Sequence, residues 1–427
     1  MRRFVTSVRE DGAKVALAKV KSYTAMRWAG SAHTSLEHQA APQHLSDDRY
    51  LQGIWGQLAR GGAFHIDAPA YNVGRRSIAL IGDLNLPQCR KYRVEQLAAF
   101  WTAQGVSCEY AHYQDLPRAT RLLSQATHLV EYRLQSMPMT EMLRYEARRL
   151  GLPVLYDIDD PLFSIAAYET YGNMQALDPW MKAHFLSEAP KYLTMMNGAD
   201  ILSMSTPGLA AHAAQLSSRP VYVRRNFADT ATLEDGAKAM QAGKPDDGVF
   251  RVAFASGSQG HEVDFQTILP AIEAFLEGSA TRRLVLLGHF DLSHLPKDVA
   301  ERTEIVPFST YDAYLASLSR VDCAVMPLAD DLFNQCKSAV RVIDASSVGV
   351  PSIVGSVGDL AEMVVDGQTG TVARDLESWQ SALELMASDR ASTMQLGKAA
   401  RHHLEVEWTG QNKAHIIAPE IVDWVHG

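Results

Sequence analysis

Cysteine is scarce: the 427 residues hold four, Cys89, Cys108, Cys323 and Cys336, with no CxxC pair and no other zinc spacing. So few thiols suit a reducing compartment and argue against a disulfide framework. Long apolar runs are missing too. No stretch approaches the roughly 20 residues of a membrane span, and the N-terminus lacks the apolar centre of a signal peptide. A cytoplasmic protein is expected. Positive charge does not dominate either, since 40 Lys and Arg against 49 Asp and Glu leave a net −9. That balance excludes nucleic acid as a partner held by bulk charge. No HExxH, Walker or Ser/His/Asp order occurs. His112, His128 and His289 stand isolated and read as structural.

What is there is an ordinary globular composition, 47% apolar and 21% charged, long enough for two to three domains at about 150 residues each. The first 70 or so residues differ from the rest. Arg2, Arg3, Arg9, Lys14, Lys19, Lys21 and Arg27 outnumber Glu10 and Asp11, with Phe4, Val8, Val15, Tyr23 and Trp28 at loosely helical intervals. Such a helix either packs before the first domain or lies at an anionic membrane surface as a peripheral contact. Residues 29–70 show no period and read as an irregular or partly helical arm.

From Arg76 onward, short apolar runs alternate with helical stretches. SIALIG (77–82) leads through a polar loop, 83–93, to a helix closing on Gly105. THLVEYR, PVLYDIDD, ADILSMST and PVYVRRN continue the alternation to 226. Residues 227–248 are polar and read as a linker. FRVAFASG, RRLVLLG, TEIVPF, VDCAVMPL, VPSIVGS and GTVARD then restart it. The pattern predicts an α/β protein with two parallel sheets in tandem and a ligand in the cleft between them.

Two segments carry phosphate chemistry. The strand-to-helix joint at 255–265 holds Gly257, Ser258, Gly260 and His261, where glycines let backbone approach an anion at a helix N-terminus. A tight turn would read the same way. In 332–353, Lys337 and Ser338 precede Arg341 and Asp344 at spacings that put Lys337, Arg341 and Asp344 on one helical face. Two cations suit a diphosphate and the carboxylate suits ribose hydroxyls; the bland alternative is an exposed face with an ion pair. In the first half, Gln88, Arg90, Lys91 and Arg93 on the 83–93 loop are expected toward the cleft. Asp157, Asp159 and Asp160 end another strand and could hold Mg²⁺, contact an acceptor or cap a helix.

The run from Phe333 to Gly370, CKSAVRVIDASSVGVPSIVGSVGDLAEMVVDGQTG with its preceding residues, resembles the donor-binding half of retaining GT-B glycosyltransferases of the family-four type. Asp344 matches the second Glu of their Glu-x7-Glu motif, and Gly358, Glu362, Gly367 and Gly370 match the series that follows. The resemblance extends over most of 76–410, through FASGSQGHEVDF, the Ser-Thr at 205–206, RRNFAD and YDIDDP. Cys336 stands where the first Glu is usual, so the resemblance carries no donor sugar. The usual Arg and Lys after the first strand of the second domain are absent from SGSQGH, and Lys337 and Arg341 take their place.

The resemblance implies two Rossmann-like domains facing a cleft: an extension (1–72), an acceptor domain (73–226), the linker, a nucleotide-sugar domain (249–405) and a final helix (406–427) returning to the acceptor domain. It implies sugar transfer with retention from a nucleotide-diphosphate donor to a glycan, lipid-linked or protein acceptor. Lys337, Arg341 and Asp157 are then the catalytic candidates. Gly257, Ser258, Gly260, His261, Lys337, Ser338, Arg341, Asp344 and Gly358 bind the donor, and Gln88, Arg90, Arg93, Asp159 and Asp160 line the acceptor side. Neither metal nor cofactor is expected. The competing readings are a non-catalytic GT-B-like glycan- or partner-binding protein, and a metal-dependent transferase built on Asp157, Asp159 and Asp160.

Overall fold

Among the described residues, twelve strands form two six-stranded sheets in which every ladder pair is parallel. The computed structural model describes residues 66, 75–257, 261–411 and 413–427. These belong to one compact unit, Gly61–Gly427. The expected basic helix and arm lie outside the described residues apart from Ile66, as do Ser258 and Gly260.

The N-terminal sheet contains β1 (Ser77–Gly82), β2 (Ser107–His112), β3 (His128–Tyr132), β4 (Val154–Ile158), β5 (Ile201–Met204) and β6 (Val221–Val223), in the order β2-β1-β3-β4-β5-β6. The C-terminal sheet contains β7 (Phe250–Ser256), β8 (Arg282–Gly288), β9 (Thr303–Val306), β10 (Cys323–Met326), β11 (Ser352–Gly355) and β12 (Gly370–Ala373), in the order β12-β11-β10-β7-β8-β9. The central strands are buried on both faces because helices cover both, so they read as mainly apolar runs, with Glu131 and Asp157 buried in ion pairs. In the second sheet the chain runs outward from β7 to β9 and returns beside β7 as β10. That reversal opens a crevice past the carboxyl ends of β7 and β10, where open parallel sheets bind ligands.

Three expectations need correction. The 83–93 segment is largely helical: Pro87 opens a turn over Pro87–Cys89, Arg90–Glu95 is a π-helical stretch, and Gln96–Ala103 continues as α-helix. Its charge suggested a loop, but Arg93 is buried in an ion pair that sequence distance concealed. The linker holds a helix, Thr230–Met240, whose first turn is capped by Asp229 accepting from Thr232 N. Its polar residues are the exposed face, whereas Leu233 and Ala239 pack on the C-terminal lobe. Strand β2 gave no apolar run because it is an edge strand, with Glu109 outward.

The chain's end lies on the N-terminal lobe. Ala418 N donates to Val223 O (3.0 Å), Arg225 N to Ile416 O (2.7 Å), and the His128 ring meets Trp424 O at 3.1 Å from the helix Pro419–His426. Among the described residues no helix is long and apolar enough to cross a membrane.

The linker helix approaches the helix Val340–Ser347 so closely that a Cβ at Gly236 would sit 2.2 Å from Ser347 O. Gly236→Ala must push two helices apart, and overpacking of this kind costs about 1–3 kcal/mol. Urea denaturation should show that loss.

Candidate functional site

The carboxyl ends of β7 and β10 gather the cations. Lys337 lies in the turn before the helix Val340–Ser347, with its N–H bonded to Asn334 O at 3.0 Å. Gly358 permits this turn: its φ is +70°, and a Cβ there would stand 2.8 Å from Asn334 O and 3.1 Å from Lys337 O. The Lys337 Nζ rests 4.9 Å from the Phe333 ring centroid and 3.7 Å from Asp160 Oδ1 of the N-terminal lobe. Burial pulls the Lys337 pKa down, but the Asp160 charge, with Tyr171 and Asp264, more than reverses this. Asp160 is pulled the opposite way: burial raises it, and Lys337 and then Arg133 hold it below the usual carboxylate range.

One turn further, the Arg341 guanidinium donates to Ala255 O at 3.4 Å and lies 5.9 Å from the Phe254 ring. With Ala255, Tyr314 and Met326 it lines a cavity of about 10 Å³, room for about one water. His261 completes the group. Its Nδ1 is 3.0 Å from Asp264 Oδ2, and burial, Lys337 and Arg341 lower its pKa against the pull of Asp264. Asp264 is itself fixed by Ala329 N (3.0 Å), Asn334 Nδ2 (2.9 Å) and, from the facing lobe, Asn173 Nδ2 (3.0 Å). Gln88 reaches across as well, its Oε1 3.4 Å from where a Gly257 Cβ would be. The cations Lys337 and Arg341 thus meet at the switch point beside the His261 imidazole, with Gln88 and Asp160 reaching them from the other lobe.

Other parts of the lobes also touch. Arg225 makes a two-point ion pair with Asp359 (2.8 and 2.9 Å), Asn226 donates to Ser338 Oγ (3.0 Å), and Thr206 Oγ1 donates to Cys336 O (3.0 Å). Tyr171 stacks on Phe333 at 4.2 Å.

No family model matches the chain. Over 122 residues it is 29% identical to glycogen synthase of Mycobacterium tuberculosis, a stretch spanning 28% of either chain. Among solved structures it resembles sucrose-phosphate synthase from Thermosynechococcus elongatus, at 14% identity and a TM-score of 0.55, covering 82% of this chain and 98% of that one. Anabaena HepE in complex with UDP-glucose superimposes with a TM-score of 0.53 at 14% identity, over 81% of this chain and 99% of that one. The chain has the GT-B fold.

Within this GT-B fold several residues are placed differently from expectation. Asp157 is not open to a substrate. It is 1% exposed and receives Arg93 Nε (3.0 Å) and Nη2 (2.6 Å), Arg224 Nη2 (2.9 Å) and Nε (3.1 Å), and Ser203 Oγ (2.6 Å). Burial alone would raise its pKa; Arg224 and Arg93 outweigh that and hold it low. Asp157 and Arg93 are therefore structural partners and not catalytic or acceptor groups. Arg90 turns outward to Glu95 (2.7 Å) and Tyr110 (3.3 Å) on the N-terminal lobe, away from the cleft. Asp159 accepts from Tyr132 (3.2 Å) and Arg133 (3.5 Å). The three aspartates are each paired with protein cations, Asp157 with Arg93 and Arg224, Asp159 with Arg133 and Asp160 with Lys337. Cys336 is buried, which pushes its thiol up to about 12.

Asp344 departs furthest. Its carboxylate is 3% exposed and accepts Tyr92 OH at 2.5 Å and Tyr311 OH at 2.8 Å, both on Oδ1. It does not share the open face of Lys337 and Arg341.

The sequence reading missed Arg133, Tyr171, Asp264, Tyr92 and Tyr311. Asp264 could have been found, because His261 and Asp264 stand one helical turn apart. The others come from distant segments. Arg133 also has φ +53°, a conformation non-glycine residues rarely adopt and one that gathers at functional sites.

Burial raises the Asp344 pKa from 3.8 to about 6, against the pull of the Tyr92 and Tyr311 hydroxyls and Lys91. Between those values the folded state binds more protons than the unfolded, so Asp344 lowers stability as pH rises from about 4 to 6. Asp344→Asn keeps an acceptor oxygen and removes the titration. Urea unfolding should show the parent falling relative to the variant over that window by up to about 3 kcal/mol, with no further divergence at pH 8.

Proposed function

We propose that the protein is a glycosyltransferase that takes a sugar from a nucleotide-diphosphate donor. One observation carries this reading: Lys337, Arg341 and His261 meet at the β7–β10 switch point of a GT-B fold, facing Gln88 and Asp160 from the other lobe. A diphosphate entering there meets two permanent cations in a partly dry site. Such preorganised charge is worth far more there than in water once a leaving group develops negative charge. The likeness to HepE with bound UDP-glucose, and to glycogen and sucrose-phosphate synthases, supports the same reading.

In the proposed reaction the bond from the anomeric carbon to the diphosphate oxygen breaks. A bond from that carbon to an acceptor hydroxyl forms, on the same face of the ring. The acceptor proton passes to a phosphate oxygen, and the nucleoside diphosphate departs held by Lys337 and Arg341. Lys337 must exchange Asp160 for phosphate, so Asp160 is released to the acceptor side at the moment the donor is bound. A glycan, lipid-linked or protein acceptor would approach past Gln88, Asp159 and Asp160.

The non-catalytic reading is favoured by one feature: of the two usual Glu positions, one is the buried thiol of Cys336 and the other the enclosed carboxylate of Asp344. Turnover separates the two. A panel of nucleotide-diphosphate sugars should include one that the protein binds and slowly hydrolyses, with release of nucleoside diphosphate. Lys337→Ala should weaken that donor by roughly 10- to 150-fold, the worth of a charge-assisted contact of about 1.5–3 kcal/mol, while thermal unfolding stays near that of the parent. Binding without turnover would favour the non-catalytic reading, and unchanged affinity in the variant would remove Lys337 from the site.

A further inference from the structure

Asp344 is enclosed by the protein's own hydroxyl groups. Tyr92 and Tyr311 both donate to Oδ1, at 2.5 and 2.8 Å, and their oxygens lie 3.3 Å apart. Two neighbouring hydroxyls converging on one carboxylate is the arrangement that the vicinal diol of a ribose presents. The two tyrosines differ in origin. Tyr311 opens the helix Tyr311–Leu318 in the same lobe as Asp344, whereas Tyr92 reaches over from the π-helical stretch Arg90–Glu95 of the other lobe.

Lys91 seals the arrangement. Its Nζ lies 3.3 Å from the centroid of the Tyr311 ring and 5.6 Å from that of Tyr92. Burial lowers the Lys91 pKa, and the Asp344 charge opposes this only in part.

We infer that Tyr92 occupies the place of a donor ribose hydroxyl on Asp344, so that a nucleotide binds only by displacing it. The inference rests on the donor reading given above. Tyr92 ties its lobe to Asp344 of the other, and an incoming ribose exchanges one hydroxyl donor for another with little change at the carboxylate. Tyr311, from the same lobe, stays with Asp344 throughout. The π-helical stretch supplies the movement. It carries an extra residue in its turn, and relaxing that turn to α-helix rotates the residues before it by about 100° about the helix axis. Arg93, held by Asp157, is the fixed point, so the residues that swing are Tyr92, Lys91 and Arg90. Donor affinity is then set in part by a residue that has no contact with the donor.

Titration calorimetry with UDP, ADP and GDP on the parent protein and on Tyr92→Phe tests this. The substitution leaves the ring in its slot and removes only the competing hydroxyl. The nucleotide that binds the parent should bind Tyr92→Phe about ten- to a hundredfold more tightly, the range expected for a hydrogen bond to a charged group. Equal or weaker binding to the variant would overturn the inference while leaving the donor site in place. Binding of none of the three nucleotides to either protein would overturn the donor reading itself, and this inference with it. A second readout needs no variant. Amide exchange in the parent should quicken across residues 90–96 on saturation with the bound nucleotide; slowing or no change there would contradict displacement.

Discussion

A carboxylate cannot be buried without compensation, and the compensation of Asp157 organises the N-terminal lobe. Arg93 and Arg224 each contact both of its oxygens, and Arg93 and Arg224 also bind one another's backbone, Arg93 Nη1 to Arg224 O and Arg224 Nη2 to Arg93 O. One ion therefore fixes β4, the segment after β6 and the helix after β1 in a single geometry. Breaking such a group by removing one partner typically costs about 3–5 kcal/mol, because a charge is left buried alone. The neighbours of these arginines do the work between lobes. Beside Arg93 stand Lys91 and Tyr92, which cover Asp344; beside Arg224 stand Arg225 and Asn226, which hold Asp359 and Ser338. Several of the contacts that join the two halves thus extend from one buried triad, while others, such as Lys337 with Asp160 and Asn173 with Asp264, arise elsewhere.

Where the physics is local, the sequence discloses it. Strands β1, β3, β4, β7 and β8 are legible because a parallel strand covered on both faces carries a mainly apolar run. The crevice follows from the alternation, and Lys337, Arg341 and His261 were found because glycines and cations beside a strand end have a local chemical meaning. Where the physics is long-range, the sequence misleads. Arg93 looked like a cleft residue because its partner lies 64 positions away, and Asp344 looked open because Tyr92 is 252 positions away. The three aspartates of YDIDDP were adjacent in sequence and so read as a group. The strand separates them, sending Asp157 to Arg93 and Arg224, Asp159 to Tyr132 and Arg133, and Asp160 to Lys337. The helix within 227–248 was hidden for a different reason: composition alone does not separate an exposed helix face from a linker, whereas the Asp229 cap does.

The fold and the site also share one energetic theme. Every side chain proposed to meet the diphosphate already has a partner within the protein: Asp160 for Lys337, the Ala255 carbonyl for Arg341, Asp264 for His261. Donor binding on this account is an exchange of partners with little net creation of charge contacts. That makes affinity depend on how readily the lobes give up their mutual bonds, and places control in Asp160 and Tyr92, on the side of the cleft away from the phosphates.

A crystal structure of the protein with a nucleotide-diphosphate sugar tests the central claim most directly. The account predicts the diphosphate between Lys337 Nζ, the Arg341 guanidinium and His261, with Lys337 parted from Asp160. A nucleotide bound elsewhere on the surface, with the Lys337–Asp160 pair intact and the β7–β10 crevice unfilled, would contradict it.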